Sequence, residues 1–155
     1  MGKIQNIIEI KVKPEKVFKY IENIWNIQYH LNLIGIKLKL EILSENPTGV
    51  GATYHWYGDA LDQKINSIMF VVKRVNNKEI LYQSHSGLQF NIILHLTPLN
   101  DSTKIDFTLN YLKPSSWSYE SSPNSLFNQS FLKKITDMMF ETIKGSLEIQ
   151  NKIVI

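Results

Sequence analysis

Residues 123–152 read PNSLFNQSFLKKITDMMFETIKGSLEIQNK, and this stretch decides the fold. Ser122-Pro123 has the form of an N-cap followed by a first helical residue, a position where proline's missing N–H costs nothing. Beyond it Phe127, Phe131, Ile135, Met138, Met139, Thr142, Ser146 and Leu147 keep to one stripe. Lys133, Lys134, Asp137, Glu141, Lys144 and Glu148 form much of the opposite side. The spacing predicts one helix reaching Lys152, and at 1.5 Å per residue it is about 45 Å long. Gly145, about 1 kcal/mol worse than alanine in a helix, marks a place for a bend. No other segment carries so long an apolar stripe, so this helix is the natural cover for a sheet.

The rest of the chain supplies that sheet. Residues 3–12 alternate, with Ile4, Ile8, Ile10 and Val12 on one side, broken by Asn6. Pro14 stops the strand, and Val17, Phe18, Ile21, Ile24, Trp25, Ile27 and Leu31 follow at helical spacings. Asn23 and Asn26 weaken the middle, so the segment reads as two short helices, 14–22 and 24–32. Strand signals resume at Ile36, where Leu38, Leu40 and Ile42 alternate with Lys37, Lys39 and Glu41. Residues 46–49 are a turn, 50–58 an aromatic-rich strand, and the region of Asp59 and Asp62 a loop. A strand over 63–75 turns at Asn76-Asn77, where asparagine tolerates a positive φ. Strands over 80–85 and 88–96 flank a Ser86-Gly87 turn, and a last strand carries Ile105, Phe107, Leu109 and Tyr111 inward. The predicted order is β-αα-β6-α, in one domain spanning residues 1–155. Consecutive strands on short turns pair as an antiparallel meander with one apolar face to be covered.

Bulk properties fit that picture. The chain has 155 residues, of which 43% are hydrophobic and 20% charged, ordinary values for a globular protein. Cysteine is absent, which excludes a disulfide framework, a thiolate metal site and a cysteine nucleophile. No signal core and no apolar run of membrane-spanning length is visible, so a cytoplasmic protein without integral membrane association is expected. The net charge is +3, but Arg74 is the only arginine and the lysines are scattered. Nucleic-acid readers lean on arginine for bidentate contacts, so no nucleic-acid partner is expected.

Three pieces of the chain resemble one superfamily. They are residues 8–21, IEIKVKPEKVFKYI; residues 49–56, GVGATYHW; and the closing amphipathic helix. The first matches a strand, a proline near a helix start, and a valine–aromatic pair. In these features and in element order, which covers essentially the whole chain, the sequence resembles the START-like (SRPBCC) superfamily. Polyketide cyclases, pollen-allergen proteins and lipid-transfer domains are among its members. The resemblance implies an α+β helix-grip fold, a curved seven-stranded antiparallel sheet wrapped around the long C-terminal helix. It also implies a hydrophobic cavity between them, and no particular ligand.

Candidate cavity residues follow from the inward faces. Tyr54 and Trp56 are preferred over His55 on bulk, and Phe90, Phe107 and Tyr111 lie on inward faces of their strands. Phe131, Ile135 and Met138 face them from the helix. A two-residue turn at Ser86-Gly87 places His85 opposite Leu88 and Gln83 opposite Phe90, making both polar groups in an apolar lining. Tyr111 lies near the loop carrying Trp117 and Tyr119, a composition that suits a cavity mouth. His95 alternates with Leu94 and Leu96 and should face outward.

Signals for chemistry are few. No histidine pair has metal-ligand spacing, and no dinucleotide or Walker loop appears; Gly49-x-Gly51 leads into a strand, not a helix. Glu9, Glu41 and Asp106 belong to outer faces, so no acid–base pair is apparent and no catalytic residue is assigned. The expectation is a binder or carrier of a small hydrophobic or amphipathic ligand, lipid- or polyketide-like, without cofactor or metal. Two alternatives stand beside it. One is a cyclase or aromatase using Gln83, His85, Tyr54 or Tyr111 to orient or deprotonate a reactive chain; the other is a protein-interaction module.

Overall fold

The computed structural model describes residues 2–61, 63–112 and 128–153. Strand β1 (Gly2–Ile10) is followed by helices α1 (Pro14–Glu22) and α2 (Ile24–Leu33). Six strands come next: β2 (Lys37–Ile42), β3 (Thr53–Ala60), β4 (Gln63–Val75), β5 (Glu79–Ser86), β6 (Phe90–Pro98) and β7 (Thr103–Tyr111). Helix α3 (Gln129–Ile153) closes the chain. The seven strands form one antiparallel sheet in the order β1-β7-β6-β5-β4-β3-β2. The meander therefore runs as expected, and β1 returns to pair with β7, Gly2 opposite Tyr111 and Ile10 opposite Thr103. The two helices between β1 and β2 thus connect opposite edges of the sheet.

Helix α3 begins where the chain offers a cap. The Asn128 carboxamide oxygen accepts from the Phe131 N–H at 3.1 Å, satisfying one of the free amides of the first turn. The expected cap at Ser122-Pro123, the stripe residue Phe127 and the loop residues Trp117 and Tyr119 lie outside the described residues. Residue Asp59, expected in a loop, belongs to β3 opposite Lys64, and Asp62 is outside the described residues.

The break at Asn6 in the β1 alternation has a physical reason. Asn6 points inward and is only 3% exposed. Its amide donates to Asp137, and its oxygen accepts from Thr136 Oγ1 at 2.9 Å. A buried carboxamide is tolerable because α3 satisfies both ends of it. Three further bonds join the same two elements or their flanks: Gln129 Nε2 to the Lys3 carbonyl at 2.9 Å, Lys144 Nζ to the Glu9 carbonyl at 2.7 Å, and the Lys11 N–H to Glu148 Oε2 at 2.8 Å. That last bond holds the Glu148 carboxyl below its ordinary pKa, with the Lys144 ammonium adding to the effect.

The core lies between the sheet's concave face and the helices. Phe107 and Phe140 meet edge to face with ring centres 5.1 Å apart, a direct contact between β7 and α3. Helix α1 is anchored on the other side by Arg74, which holds the Glu22 carboxylate through two nitrogens and lies 5.0 Å above the Phe18 ring. The only arginine of the chain is therefore committed to an internal contact.

Candidate functional site

Between the sheet, α2 and α3 lies a cavity of about 260 Å³. Trp56, Met69, Tyr82, Leu94, Phe107 and Leu109 form its floor. Leu132, Ile135, Thr136, Met139 and Phe140 close it from α3, and Ile24, Ile27 and Leu31 from α2. Phe90, Tyr111, Leu88 and Leu112 gather where β6 and β7 meet the ends of their loops. Every strand from β2 to β7 contributes, because on each the inward residues recur with period two.

The lining holds few polar atoms, and the two aliphatic hydroxyls are bonded into the wall. Ser67 Oγ donates to the Ser86 carbonyl at 2.9 Å, and Thr136 Oγ1 is bonded to Asn6. Among the described residues, no carboxylate, lysine, arginine or histidine lines the cavity. The ionisable groups that do are the phenols Tyr82 and Tyr111. Burial pushes the Tyr82 phenol well above its ordinary pKa, and nearby Tyr54 and Glu22 add to this. At neutral pH it is a hydrogen-bonding group and not a base. Among the described residues no three metal-ligating side chains come together.

Of the ten residues expected to line the cavity, Trp56, Phe90, Phe107, Tyr111 and Ile135 do so. The other five are elsewhere. Gln83 and His85 are exposed on the outer face, which corrects the expected register. Strand β5 pairs Tyr82 with Ile92 and Gln83 with Asn91, one residue out of step with a two-residue turn. The physical cause is a longer connection: Ser84 Oγ accepts from the Phe90 N–H at 2.9 Å, spanning the turn. A one-residue slip moves every side chain to the other face, so Tyr82 enters the cavity in place of Gln83. The alternation of Ile80 with Tyr82 was the available signal for this.

Tyr54 is buried but lies outside the cavity wall; its hydroxyl donates to the Pro47 carbonyl at 2.6 Å. Burial, with the nearby Glu22 charge, pushes that phenol up to about 12. Phe131 is half-buried and packs against the cluster of Ile36, Ala60, Ile65 and Ile135 beside the cavity. Met138 is 45% exposed, and its neighbour Met139 points in. Consecutive helical residues are about 100° apart, so only one of the two can face the sheet. His55 and His95 face outward as expected, His55 bonding Asn66 Oδ1 at 2.7 Å.

Sequence reasoning missed His30, which is fully buried between α2 and α3. Its Nδ1 lies 2.9 Å from Thr142 Oγ1, and its Nε2 lies 2.7 Å from the Tyr20 hydroxyl. Thr142 gives its own proton to the Met139 carbonyl at 2.7 Å, so it must accept from His30 Nδ1–H. Nε2 is then the acceptor for Tyr20. Burial depresses the His30 pKa, in keeping with this neutral tautomer. The network ties α1, α2 and α3 together behind the cavity.

Comparison with solved structures places this geometry. The aromatase/cyclase ZhuI from Streptomyces sp. R1128 matches with a TM-score of 0.70 at 10% identity, covering 94% of this chain and 93% of its own. The fold is that of the START-like superfamily. Protein TTHA0849 from Thermus thermophilus shares this START-like helix-grip fold, with a TM-score of 0.69 at 14% identity over 94% of this chain and 99% of that one. Ara h 8.0201 does so at 0.65 and 15%, over 94% and 96%. No protein-family model and no curated protein matches the sequence.

Proposed function

We propose that this START-like domain binds and carries a small apolar or amphipathic molecule, lipid- or polyketide-like, in the cavity between sheet and α3. The observation that carries the reading is the lining: many apolar side chains, two phenols, and no acid–base pair among the described residues. Ligand pockets have this composition. The volume, about 260 Å³, lies just under the ~300 Å³ at which pockets for drug-sized molecules begin. It exceeds the roughly 150 Å³ of a dry apolar cavity that takes up benzene. Native mass spectrometry and solvent extraction of the purified protein test the reading, together with uptake of an environment-sensitive apolar dye. A bound apolar molecule, or dye uptake that the extracted molecule reverses, supports it; a protein that carries nothing and leaves the dye in water sinks it.

A cyclase or aromatase is the second reading. It is favoured by the Tyr82 phenol in the cavity wall and by the shared fold with ZhuI. Such an enzyme would use Tyr82 to donate a hydrogen bond to a substrate carbonyl, since its raised pKa suits a donor better than a base. Turnover of a poly-β-keto substrate that Tyr82→Phe abolishes would select this reading over simple carriage.

A further inference from the structure

Helix α2 is apolar on two opposite sides. Its inner face, Ile24, Ile27 and Leu31, lines the cavity. Its outer face carries Trp25, Tyr29 and Leu33 at steps of four residues, exposed to 47%, 56% and 55%. The polar residues Asn26, Gln28 and Asn32 lie between these two faces, and the outer one has nothing over it among the described residues. Scattered exposed apolar residues need no explanation, but a Trp–Tyr–Leu row along one helix does.

The charges around this row are mainly basic, the nearest carboxylates being Glu15 on α1 and Asp59 opposite Lys37 on β3. Between Glu22 and Glu41 the sequence contains no carboxylate, and Glu22 is held by Arg74. Lys16 and Lys19 line a cleft of about 380 Å³ with Asn23 and Asn26, at the start of α2. Lys37 stands at the other end, its Nζ 3.4 Å from the Asn32 carbonyl. Among the described residues none of these three lysines has a carboxylate partner. An aromatic row flanked at both ends by unpaired ammonium groups is complementary to a surface that is apolar within and anionic outside.

We propose that the outer face of α2 docks on an anionic lipid bilayer. Trp25 and Tyr29 would sit at the headgroup level, where amphipathic rings are favoured, and Leu33 would reach the acyl boundary. Lys16, Lys19 and Lys37 would meet the lipid phosphates, the first two beside the amides of Asn23 and Asn26. The docking stands on the outside of α2 and does not depend on what occupies the cavity. It would place the cavity one helix thickness from the membrane.

The test is co-sedimentation of the full chain with phosphatidylcholine vesicles, with and without phosphatidylglycerol, at low and high salt. Binding is expected to phosphatidylglycerol vesicles and to fall with salt. Trp25→Ala with Leu33→Ala should weaken it at least tenfold, as should Lys19→Glu with Lys37→Glu, with thermal melts unchanged because all four side chains are exposed. No binding by the parent chain overturns the proposal, and so does equal binding by the variants. A concentration-dependent dimer in sedimentation velocity that Trp25→Ala abolishes also overturns it, assigning the face to a second copy.

Discussion

His30 and Thr142 join α2 to α3 through a bond whose direction is set: the imidazole Nδ1–H donates to the threonine oxygen at 2.9 Å. The other ring nitrogen must stay unprotonated to accept from Tyr20. Burial lowers the His30 pKa from its ordinary value of 6.5. The unfolded chain therefore binds a proton more readily than the folded one. The sign follows: this contribution to stability is complete above about pH 6.5 and is lost as the pH falls through the lowered folded value. Thermal melts from pH 8 towards pH 5 should show a falling midpoint, with a slope reduced in His30→Gln. Replacement by alanine should cost about 2–4 kcal/mol, from a vacated buried volume and two unpaired hydroxyls.

The register of β5 makes a paired prediction. Tyr82→Ala should destabilise the fold by about 3–5 kcal/mol, since it empties a buried aromatic site. Gln83→Ala and His85→Ala, on the exposed side, should each stay within about 0.5 kcal/mol. Urea melts on the three variants check this. A large loss at Gln83 would mean that the strand is paired one residue away.

The phase of α3 can be read in the same way. Met139→Trp should fill the cavity and abolish uptake of an apolar dye, at a cost of about 1–3 kcal/mol for overpacking. Met138→Trp should leave uptake intact, because that side chain is already in water. Dye titration of both variants separates the two faces.

Gly2 gives a fourth test. A methyl group on its α-carbon would overlap the ring of Tyr111, which lies directly across the β1–β7 pair. Gly2→Ala should push that ring towards the cavity, shrinking it and weakening dye uptake. Adding Tyr111→Leu should restore uptake. Stability should fall by about 1–3 kcal/mol in the single variant, measured by chemical denaturation.

Much of this architecture was legible in the sequence because burial writes itself as a period. Ile105, Phe107, Leu109 and Tyr111 recur every second residue, and Ile135 and Met139 every four. What the period does not encode is the join between elements. The β5–β6 connection is longer than Ser86-Gly87 alone suggests, and that difference exchanged Gln83 for Tyr82. Nor does alternation show that β1 closes against β7, a contact between residues about a hundred positions apart. His30 was hidden for another reason: a buried histidine is recognisable only through partners, and Tyr20 and Thr142 come from two other helices.

The carboxamide of Asn6 has a mechanical meaning. It is gripped by two consecutive residues of α3, Thr136 and Asp137. Advancing the helix by one turn, about 5.4 Å, would strand that amide in the apolar interior without partners. The long helix is thus keyed to the first strand and cannot act as a sliding bolt. The shorter helix α2 is fastened differently, by the uncharged imidazole of His30 to α1 and α3 and by the amides of Asn26 and Gln28 to the Tyr20 and Leu38 carbonyls.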